Sequence, residues 1–353
     1  MQWLYQHFCK PILFRFDPER VHRFILAVGR IIPDIGVFNY HHPALEQTIA
    51  GISFRNPVGL SAGFDKNGQI IRAIGTIGFG FEEVGSITAL PCVGNPTPRL
   101  WRLPKSQGIV VHIGLANAGA EAIAQRLERH TYSIPFGISI AKTNCQATVD
   151  QAAGIADYLV TAQRFRTIGQ YNTLNVSCPN AFGGEPFHQP AALEALLVAY
   201  DQLHIAKPVF IKISPDLDFA VVDQLLAVMI RHHVTGVICG NLTKQRDHSV
   251  LRDEHIPTVG GISGKPTRAK SLALIRHVYQ QAGQHLIIIG VGGIFSAEDA
   301  YEDILAGASL VQLITGMIYQ GPQLIGQINR GLVRLLQRDG YSHISQAIGR
   351  AIL

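Results

Sequence analysis

The residues Val58-Gly59-Leu60-Ser61-Ala62 form a short apolar run that ends directly in Gly63-Phe64-Asp65-Lys66. The same arrangement, a β-prone run followed at once by glycine or polar residues, recurs along the chain with helical stretches in between. We count eight runs: 58–62, 81–84, 136–141, 173–176, 209–213, 236–239, 286–290 and 309–313. Strands that alternate with helices form a parallel sheet, and eight units favour an α/β fold of the (β/α)8, or TIM barrel, type. An open doubly wound sheet is the alternative, but no G-x-G-x-x-G follows the first run.

Glycine or polar residues stand just after most of these runs. They are Gly63 to Lys66, Gly85-Ser86, Lys142-Thr143, Ser177-Cys178, Ser214 to Asp216, Asn241, Gly292-Gly293 and Thr315-Gly316. In (β/α)8 barrels the chemistry is carried at the carboxyl ends of the strands. We therefore expect these residues to converge around one mouth of the barrel.

The segment Asn175-Val176-Ser177-Cys178-Pro179-Asn180 places a thiol and two amides where the fourth run ends in a loop. Cysteine has an ordinary pKa of about 8.5, so modest positive surroundings make it a competent base. Asparagine offers a donor and an acceptor suited to a small molecule rich in amides. The segment predicts a proton-abstracting site. A buried structural cysteine beside turn-forming residues is the alternative interpretation.

Two glycine-rich loops predict a phosphate site. Gly290-Val291-Gly292-Gly293 follows the seventh run and Thr315-Gly316 follows the eighth, so their backbone N–H groups are expected side by side. Barrels often bind phosphate with these loops and a nearby helix N-terminus, for which Ser296 is a suitable cap. Residues 260–264 are expected to add a flexible backbone edge. Tight βα turns also need glycine for conformational reasons alone.

Two lysines, Lys66 and Lys212, stand at or near the ends of apolar runs. A buried ammonium is costly unless an anion compensates it. A reduced flavin or a substrate carboxylate would supply that anion for Lys212. Pairing with Asp216, or an outward-facing side chain, is the alternative.

The composition excludes several classes of protein. With 353 residues, 47% hydrophobic and 16% charged, the chain can bury a large core. The net charge is +5, but Lys and Arg are scattered, which argues against nucleic acid as a partner. The five cysteines lack C-x-x-C spacing, which favours a reducing compartment over a zinc site or a disulfide framework. No apolar run is long enough for a spanning helix, and neither His41-His42 nor His232-His233 has the spacing of a metal site.

The first forty residues differ from the rest and predict a helical extension (1–40) on a barrel domain (41–353). Asp17, Pro18 and Glu19 have the pattern of an N-cap, a first-turn proline and a first-turn acid, so a second helix is expected to start there and stop before Pro33. Apolar and basic residues alternate at helical spacing. This pattern is typical of helices that lie on an anionic bilayer, and packing against the barrel also explains it.

Several motifs in the same order resemble the dihydroorotate dehydrogenases, FMN-dependent (β/α)8 barrels of pyrimidine biosynthesis. The matching segments are Asn56 to Lys66, Gly75, Phe79-Gly80, Glu83 to Thr88, Pro98 to Leu103, Asn175 to Asn180, Ile211 to Asp216, Gly260 to Gly264 and Gly290 to Ile294. The N-terminal helices, with Asp17 to His22, resemble the membrane-associated class 2, whose helical appendage makes a quinone tunnel. The resemblance covers nearly the whole chain.

The resemblance implies that a base removes the C5 proton of dihydroorotate while FMN N5 takes a hydride from C6, and that a quinone then reoxidises the flavin. Cys178 matches the base, and His22 and Arg102 match positions that meet the quinone. The substrate positions are Lys66, Asn175, Asn180 and Asn241. The FMN positions are Ala62, Gly63, Lys66, Ser86, Ser139, Asn175, Lys212, Gly240, Gly264, Gly293, Thr315 and Gly316. Class 2 membership implies a peripheral protein on the cytoplasmic side of the inner membrane.

The chain also departs from the family pattern. Class 2 enzymes normally carry serine where Cys178 stands, Val111 occupies a substrate-contacting Asn position, and Ile314 replaces a Tyr that contacts quinone. Further departures are Ser139 at an FMN-contacting Asn position, and Gly240 and Leu242 beside Asn241 where the family has Thr. A buried substrate group without its partner costs about 1–3 kcal/mol.

Three hypotheses follow. The first is a divergent class 2 dihydroorotate dehydrogenase. The second is an FMN oxidoreductase of the same fold that acts on another cyclic amide or an unsaturated acid, because Val111 and Leu242 alter the substrate positions. The third is a noncatalytic, membrane-associated flavin-binding or interaction protein, against which the retained Lys66, Lys212 and Cys178 argue.

Overall fold

The computed structural model describes residues 2–33, 40–178, 180, 184 and 186–351. The expected domain boundary at residues 40 and 41 borders residues 34–39, which lie outside the described residues, as does Pro179. The strands are β1 (Gln47–Ile49), β2 (Ile52–Phe54), β3 (Val58–Leu60), β4 (Phe81–Ile87), β5 (Leu100–Leu103), β6 (Gly108–Val111), β7 (Phe136–Ile140), β8 (Tyr171–Asn175), β9 (Val209–Ile213), β10 (Gly236–Cys239), β11 (Gly261–Gly264), β12 (Ile287–Val291) and β13 (Leu310–Leu313). The helices are α1 (Gln2–Leu4), α2 (Lys10–Leu13), α3 (Pro18–Gly29), α4 (Ile71–Thr76), α5 (Ala120–Leu127), α6 (Gln151–Arg164), α7 (Pro190–Asp201), α8 (Phe219–Arg231), α9 (Arg268–Ala282), α10 (Ala297–Leu305), α11 (Thr315–Gln320) and α12 (Leu324–Arg338).

Eight parallel strands close into a barrel in the order β3, β4, β7, β8, β9, β10, β12, β13 and back to β3. Each of the eight predicted runs lies on one of these strands, so the predicted (β/α)8 barrel is confirmed. The predicted run and the observed strand differ most in length at β4, which continues to Ile87. One helix, from α4 to α10, follows each strand except the last, which is followed by α11 and α12.

Apolar side chains close the amino-terminal end of the barrel. An antiparallel hairpin of β1 and β2, which the sequence analysis did not predict, packs Ile49 and Ile52 against this layer. The buried members of the layer are Phe54, Phe81, Tyr171, Phe210, Ile238, Ile289 and Leu310. Phe54 meets Phe81 edge to face at 5.3 Å between ring centroids, a favourable aromatic geometry. This end of the barrel is therefore a packed core.

A second sheet lies at the carboxyl-terminal end, where strands β5, β6 and β11 pair antiparallel with β6 in the centre. Residues 260–264 were expected to be a flexible edge, and that prediction is wrong. The ladder to β6 pairs Gly261 with Val111 and Gly264 with Gly108, so this backbone is ordered by strand pairing. Because side chains alternate along a strand, Ile109 and Val111 both face the cavity described below.

The N-terminal helices pack over the same end of the barrel. Asp17 caps α3 by accepting a hydrogen bond from the Arg20 backbone N–H at 2.8 Å, as predicted. The helix ends at Gly29, earlier than the predicted stop before Pro33. Glu19 forms a two-pronged ion pair with Arg99, at 2.8 and 3.1 Å, which attaches α3 to the segment before β5. Within the described residues, no helix has the length and apolar character needed to cross a membrane.

Candidate active site

One cavity of about 450 Å³ connects the mouth of the barrel to the N-terminal helices. Its inner part is lined by polar side chains at the carboxyl ends of the strands: Lys66, Ser86, Asn175, Cys178, Asn180, Lys212, Asn241 and Thr315. Its outer part is apolar and is lined mainly by Leu13, Val21, Ile25, Val28, Ile32, Ile74, Ile77, Met317 and Ile318. A volume in this range is typical of small-molecule and cofactor sites. Strand-end residues of β3, β4, β8, β10 and β13 converge as the sequence predicts, whereas Lys142-Thr143, Ser214 to Asp216 and Gly292-Gly293 do not line this cavity.

Lys212 lies deep in this cavity and pairs with an acid that the sequence analysis did not assign. Its Nζ is 3.8 Å from Glu83 Oε1, and both side chains are almost fully buried. Nζ also donates to Ser61 Oγ at 3.1 Å. Burial lowers the pKa of Lys212, while Glu83 opposes that shift. The alternative interpretation, a pairing of Lys212 with Asp216, is wrong, because Asp216 instead accepts from Lys270 Nζ at 2.8 Å.

Glu83 is itself held in place from two sides of the barrel. Gln312 on β13 donates to Oε2 at 2.9 Å, and Thr173 on β8 lies 3.4 Å from the same oxygen. An ammonium and a carboxylate thus sit together in a water-poor interior, which is costly unless further hydrogen bonds compensate them. The available signal in the sequence was an acidic pair, Glu82-Glu83, inside an otherwise apolar strand.

Asn175 belongs to a chain of buried polar groups. Its Nδ2 donates to Ser86 Oγ at 2.7 Å, and Ser86 Oγ is 2.8 Å from Ser139 Oγ. Its Oδ1 accepts from Ser177 Oγ at 3.1 Å. Ser139 is fully buried behind Ser86 and does not line the cavity, so its contact with the cavity is made through Ser86.

Cys178 is half-buried in the loop after β8 and lines the cavity. Its thiol lies within electrostatic range of Lys142 and Lys212, and it raises the pKa of each lysine against the effect of burial. Cationic neighbours favour the thiolate form of a cysteine. Asn241 stiffens the same loop, since its Nδ2 donates to both the backbone oxygen and Oγ of Ser177 at 2.8 Å.

Apolar side chains form the wall beside Asn180. Asn180 Nδ2 donates to the Val111 backbone oxygen at 2.9 Å, which holds the amide against β6. Val111 and Leu242 both line the cavity, and both contact the backbone of β11: Val111 pairs with Gly261, and Leu242 covers the same glycine. The inner cavity therefore has a polar floor and one apolar side.

Lys66 and Gly63 stand together at the end of β3. Lys66 Nζ donates to the Gly63 backbone oxygen at 2.6 Å. Burial is the main cause that lowers the pKa of Lys66, to about 8, although Asp65 opposes the shift. Gly63 has a φ of +111°, and a side chain there would extend into open space near Ile314. The bare glycine leaves room for a flat ligand.

Four backbone segments converge at another corner of the mouth. Gly264 at the end of β11 packs on Thr315, whose Oγ1 is 2.9 Å from Ser263 Oγ. Gly293 packs on the backbone of Arg268, and Gly316 packs on the Ile294 carbonyl. Ser296 caps α10 as predicted, accepting from Asp299 N–H. The corner offers first-turn N–H groups that have no partner within their helix.

The two residues expected to meet a quinone lie near the outer, apolar part. His22 Nε2 is 2.9 Å from the Phe64 backbone oxygen, and because a carbonyl only accepts, Nε2 carries the hydrogen. Burial lowers the pKa of His22 to about 3, so the ring is neutral. Arg102 donates to the Phe16 backbone oxygen at 2.8 Å and lies over the Phe14 ring.

The structure brings together most of the predicted site residues. Those that line the cavity are Cys178, Lys66, Asn175, Asn180, Asn241, Ala62, Gly63, Ser86, Lys212, Thr315, His22 and Arg102. Those that lie behind the lining are Ser139, Gly240, Gly264, Gly293 and Gly316. The pairing of Glu83 with Lys212 is not indicated by the sequence, because it depends on contacts between distant segments. The resemblance does imply a tunnel beneath the N-terminal helices and an altered substrate site at Val111, and the apolar channel and Val111 both belong to this cavity.

Comparisons with known proteins point to one family. The family model described as dihydroorotate dehydrogenase matches residues 44–336. The "Dihydroorotate dehydrogenase (quinone)" of Gloeobacter violaceus is 41% identical over 350 residues, which cover 97% of this chain and 98% of that relative. The protein of the same name from Mycolicibacterium smegmatis is 36% identical over 348 residues, with 96% and 97% covered. The crystal structure of DHODH in complex with ferulenol from Eimeria tenella has a TM-score of 0.87 at 30% identity and covers 95% of this chain and 96% of that one.

Proposed function

This chain belongs to the dihydroorotate dehydrogenase family, and from that premise we propose that it oxidises dihydroorotate to orotate with a quinone as electron acceptor. The observation that carries the proposal is the single cavity that joins Cys178 and the asparagines to an apolar channel beneath the N-terminal helices. A polar chamber suits a cyclic diamide acid, and an apolar channel suits a hydrophobic acceptor. The polar substrate and the hydrophobic acceptor can thus reach the same cavity.

Cys178 acts as the base that removes the proton from C5 of the substrate. Its thiolate is supported by Lys142 and Lys212, and the loop that carries it is held by Asn241. The amides of Asn175, Asn180 and Asn241 hold the substrate, and Lys66, which lines the same cavity, supplies a cation for its carboxylate. General-base help of this kind contributes typically about 10²–10⁴-fold to a rate.

The cofactor that fits this site is FMN. Gly63 leaves open space beside Lys66. Ser86 and Lys212 offer hydrogen-bond donors in the cavity, and the corner around Thr315 offers backbone N–H groups for a phosphate. Lys212 keeps donors that Ser61 does not use, so it can bond a ring acceptor. When bound, FMN would take a hydride from C6 of the substrate and pass two electrons to the quinone. The other residues carried over for FMN, Ala62, Ser139, Asn175, Gly240, Gly264, Gly293 and Gly316, would shape this cradle.

Arg102 and His22 would meet the quinone in different roles. The only ring hydrogen of neutral His22 is committed to the Phe64 carbonyl, so the other nitrogen can only accept. Arg102 still has N–H groups beyond the one given to Phe16, so it is the donor for a quinone carbonyl. His22 is then suited to accept a hydrogen bond from the reduced acceptor.

The N-terminal helices would also bring the protein to a membrane, where the quinone resides. We assign residues 1–40 to this extension and 41–353 to the catalytic barrel. Trp3, Phe8, Ile12, Phe16 and Phe24 are each more than half exposed, which is unusual for large apolar side chains. This surface supports a peripheral position on a membrane, and class 2 membership implies the cytoplasmic side of the inner membrane.

A second candidate substrate rests on Val111 and Leu242. Both form an apolar side of the inner cavity, where a polar substrate edge would find no partner. An FMN oxidoreductase of the same fold that acts on another cyclic amide or an unsaturated acid would use this wall. The two candidates share the base, the cofactor and the acceptor.

Anaerobic titration of the purified protein distinguishes them. We expect dihydroorotate to bleach the flavin absorption, and a ubiquinone analogue to restore it with one orotate formed per turnover. A protein that binds flavin but is bleached only by a different cyclic amide would favour the second candidate. Absence of orotate formation above the Cys178→Ala background would overturn the leading proposal.

A further inference from the structure

A second cavity, of about 250 Å³, lies beside the end of α3. Its charged side chains are three arginines, Arg30 directly after α3, Arg72 from α4 and Arg126 from α5, and His130 also lines it. No acidic side chain lines it among the described residues. Three guanidinium groups around one small cavity strongly favour an anion, and arginine binds phosphate in a two-pronged geometry.

The basic groups of this cavity are not neutralised within the described part of the chain. Arg126 donates to the Asn67 backbone oxygen at 2.7 Å, and Arg72 lies 3.1 Å from His130 Nδ1. Tyr132, which also lines the cavity, has a buried hydroxyl with no hydrogen-bond partner. Asp65 is within electrostatic range of Arg126, but its carboxylate is buried and accepts three backbone N–H groups. The remaining guanidinium N–H groups are therefore available to an anionic acceptor.

Exposed apolar side chains at the end of α3 indicate which kind of molecule would carry the anionic acceptor. Phe24 and Val28 lie on α3 and Ile31 follows its end, and their exposed fractions are 59%, 37% and 80%. Val28 also lines the apolar part of the first cavity. Ile31 is adjacent in sequence to Arg30, which lines the basic cavity. A lipid that covers the apolar stripe with its chains would bring its headgroup to this cavity.

We propose that this cavity binds the phosphate of an anionic phospholipid. The inference rests on the proposed membrane association of the N-terminal helices and adds to it a lipid class and a headgroup site. Arg30 and Arg72 are the exposed arms of the site, whereas Arg126 and Tyr132 form its half-buried wall. The site lies outside the catalytic chamber, so its loss should leave the chemistry intact.

Vesicle co-sedimentation of the full-length holoenzyme tests the proposal. One set of vesicles contains phosphatidylcholine alone and the other contains phosphatidylglycerol in addition. Each basic residue near an anionic surface contributes about 1 kcal/mol, so Arg30→Gln with Arg72→Gln should weaken binding to the anionic vesicles roughly 30-fold. Arg166→Gln with Arg350→Gln removes the same charge from exposed residues near the opposite end of the barrel and should have little effect.

A charge-preserving variant separates a headgroup site from a general attraction. Arg30→Lys with Arg72→Lys keeps both charges but loses the two-pronged geometry, and we expect binding at least several-fold weaker than wild type. Equal binding by the lysine variant and wild type would overturn the site. Equal binding by the glutamine variant would do the same while leaving membrane association intact. If wild type sediments with neither vesicle, the proposed membrane association fails together with the site.

Soluble ligands distinguish the lipid from a free ion. Calorimetric titration with a short-chain phosphatidylglycerol below its micelle concentration should show binding that the glutamine variant loses. Inorganic phosphate should bind more weakly, because it has no chains to cover the α3 stripe. Tighter binding of inorganic phosphate than of the lipid would overturn the assignment. Orotate formation with a soluble quinone analogue should be unchanged in every variant.

Discussion

The two ends of the barrel differ in what their side chains do. At the amino-terminal end, Phe81, Tyr171 and Phe210 fill the interior together with the β1–β2 hairpin, and no cavity wall is formed there by these residues. At the carboxyl-terminal end, positions two to five residues later on the same strands carry Ser86, Asn175 and Lys212. One set of strands thus supplies an apolar closure and a polar chamber a few residues apart. Residues that stabilise the fold and residues that carry the chemistry therefore occupy different positions along the same strands.

The largest expected effect is at the carboxyl-terminal end. Cys178→Ala removes the proposed base, and we expect flavin reduction by dihydroorotate to slow by about 10²–10⁴-fold. Stopped-flow absorbance under anaerobic conditions measures this rate. Cys145→Ala is a matched control, since Cys145 is another half-buried cysteine near Lys142 that does not line the cavity. Comparable slowing in the control would contradict the assignment.

Phe81→Ala addresses the opposite end of the barrel. Phe81 is fully buried and packs edge to face on Phe54, so truncation should lower the free energy of unfolding by about 3–5 kcal/mol. Urea denaturation followed by circular dichroism provides the measurement. The rate of flavin reduction per folded molecule should stay near the wild-type value. A large loss of rate at unchanged stability would break the separation between the two ends.

Substitutions in the apolar wall should have a smaller effect, and they should increase activity rather than reduce it. Val111→Asn with Leu242→Thr restores polar groups at the side of the chamber and should strengthen transition-state binding of dihydroorotate by about 1–3 kcal/mol. The measurement is kcat/KM for orotate formation. If the double variant loses dihydroorotate activity and wild type is faster with a more apolar cyclic amide, the second candidate substrate is favoured.

The smallest effect concerns the pH dependence of substrate capture. Burial lowers the pKa of Lys66 to about 8, so its ammonium is present below that pH and is lost as the pH rises through it. Binding of an anionic substrate should therefore weaken above pH 8, and kcat/KM should fall about tenfold per pH unit. Lys66→Arg keeps its charge and should remove this limb of the profile. An unchanged profile in the arginine variant would exclude Lys66 as its cause.

Local signals in the sequence predicted much of the fold. The eight strands follow from short apolar runs, and the starts of α3 and α10 follow from Asp17 and Ser296, since caps act within one helical turn. The polar strand ends predicted most of the chamber, because parallel strands must present their carboxyl ends together.

The remaining features depend on contacts between distant segments. Glu83 compensates Lys212 across the barrel, and nothing adjacent to either residue indicates the pairing. Residues 260–264 resemble a flexible glycine loop until β6 supplies a ladder for them. The apolar channel likewise exists only where α3 covers the mouth, so periodicity alone could not distinguish membrane contact from packing on the barrel.

The antiparallel sheet over the mouth has a consequence for the order of folding. Ile109 and Ser263 are ladder partners although they are 154 positions apart in the chain. Joining segments so far apart is entropically demanding before the intervening strands are in place. We therefore expect the roof of the chamber to assemble late, after the barrel strands have come together. During refolding of the complete chain, the chamber would stay open from above until β11 pairs with β6, which leaves a period in which a cofactor can enter without passing through the finished channel.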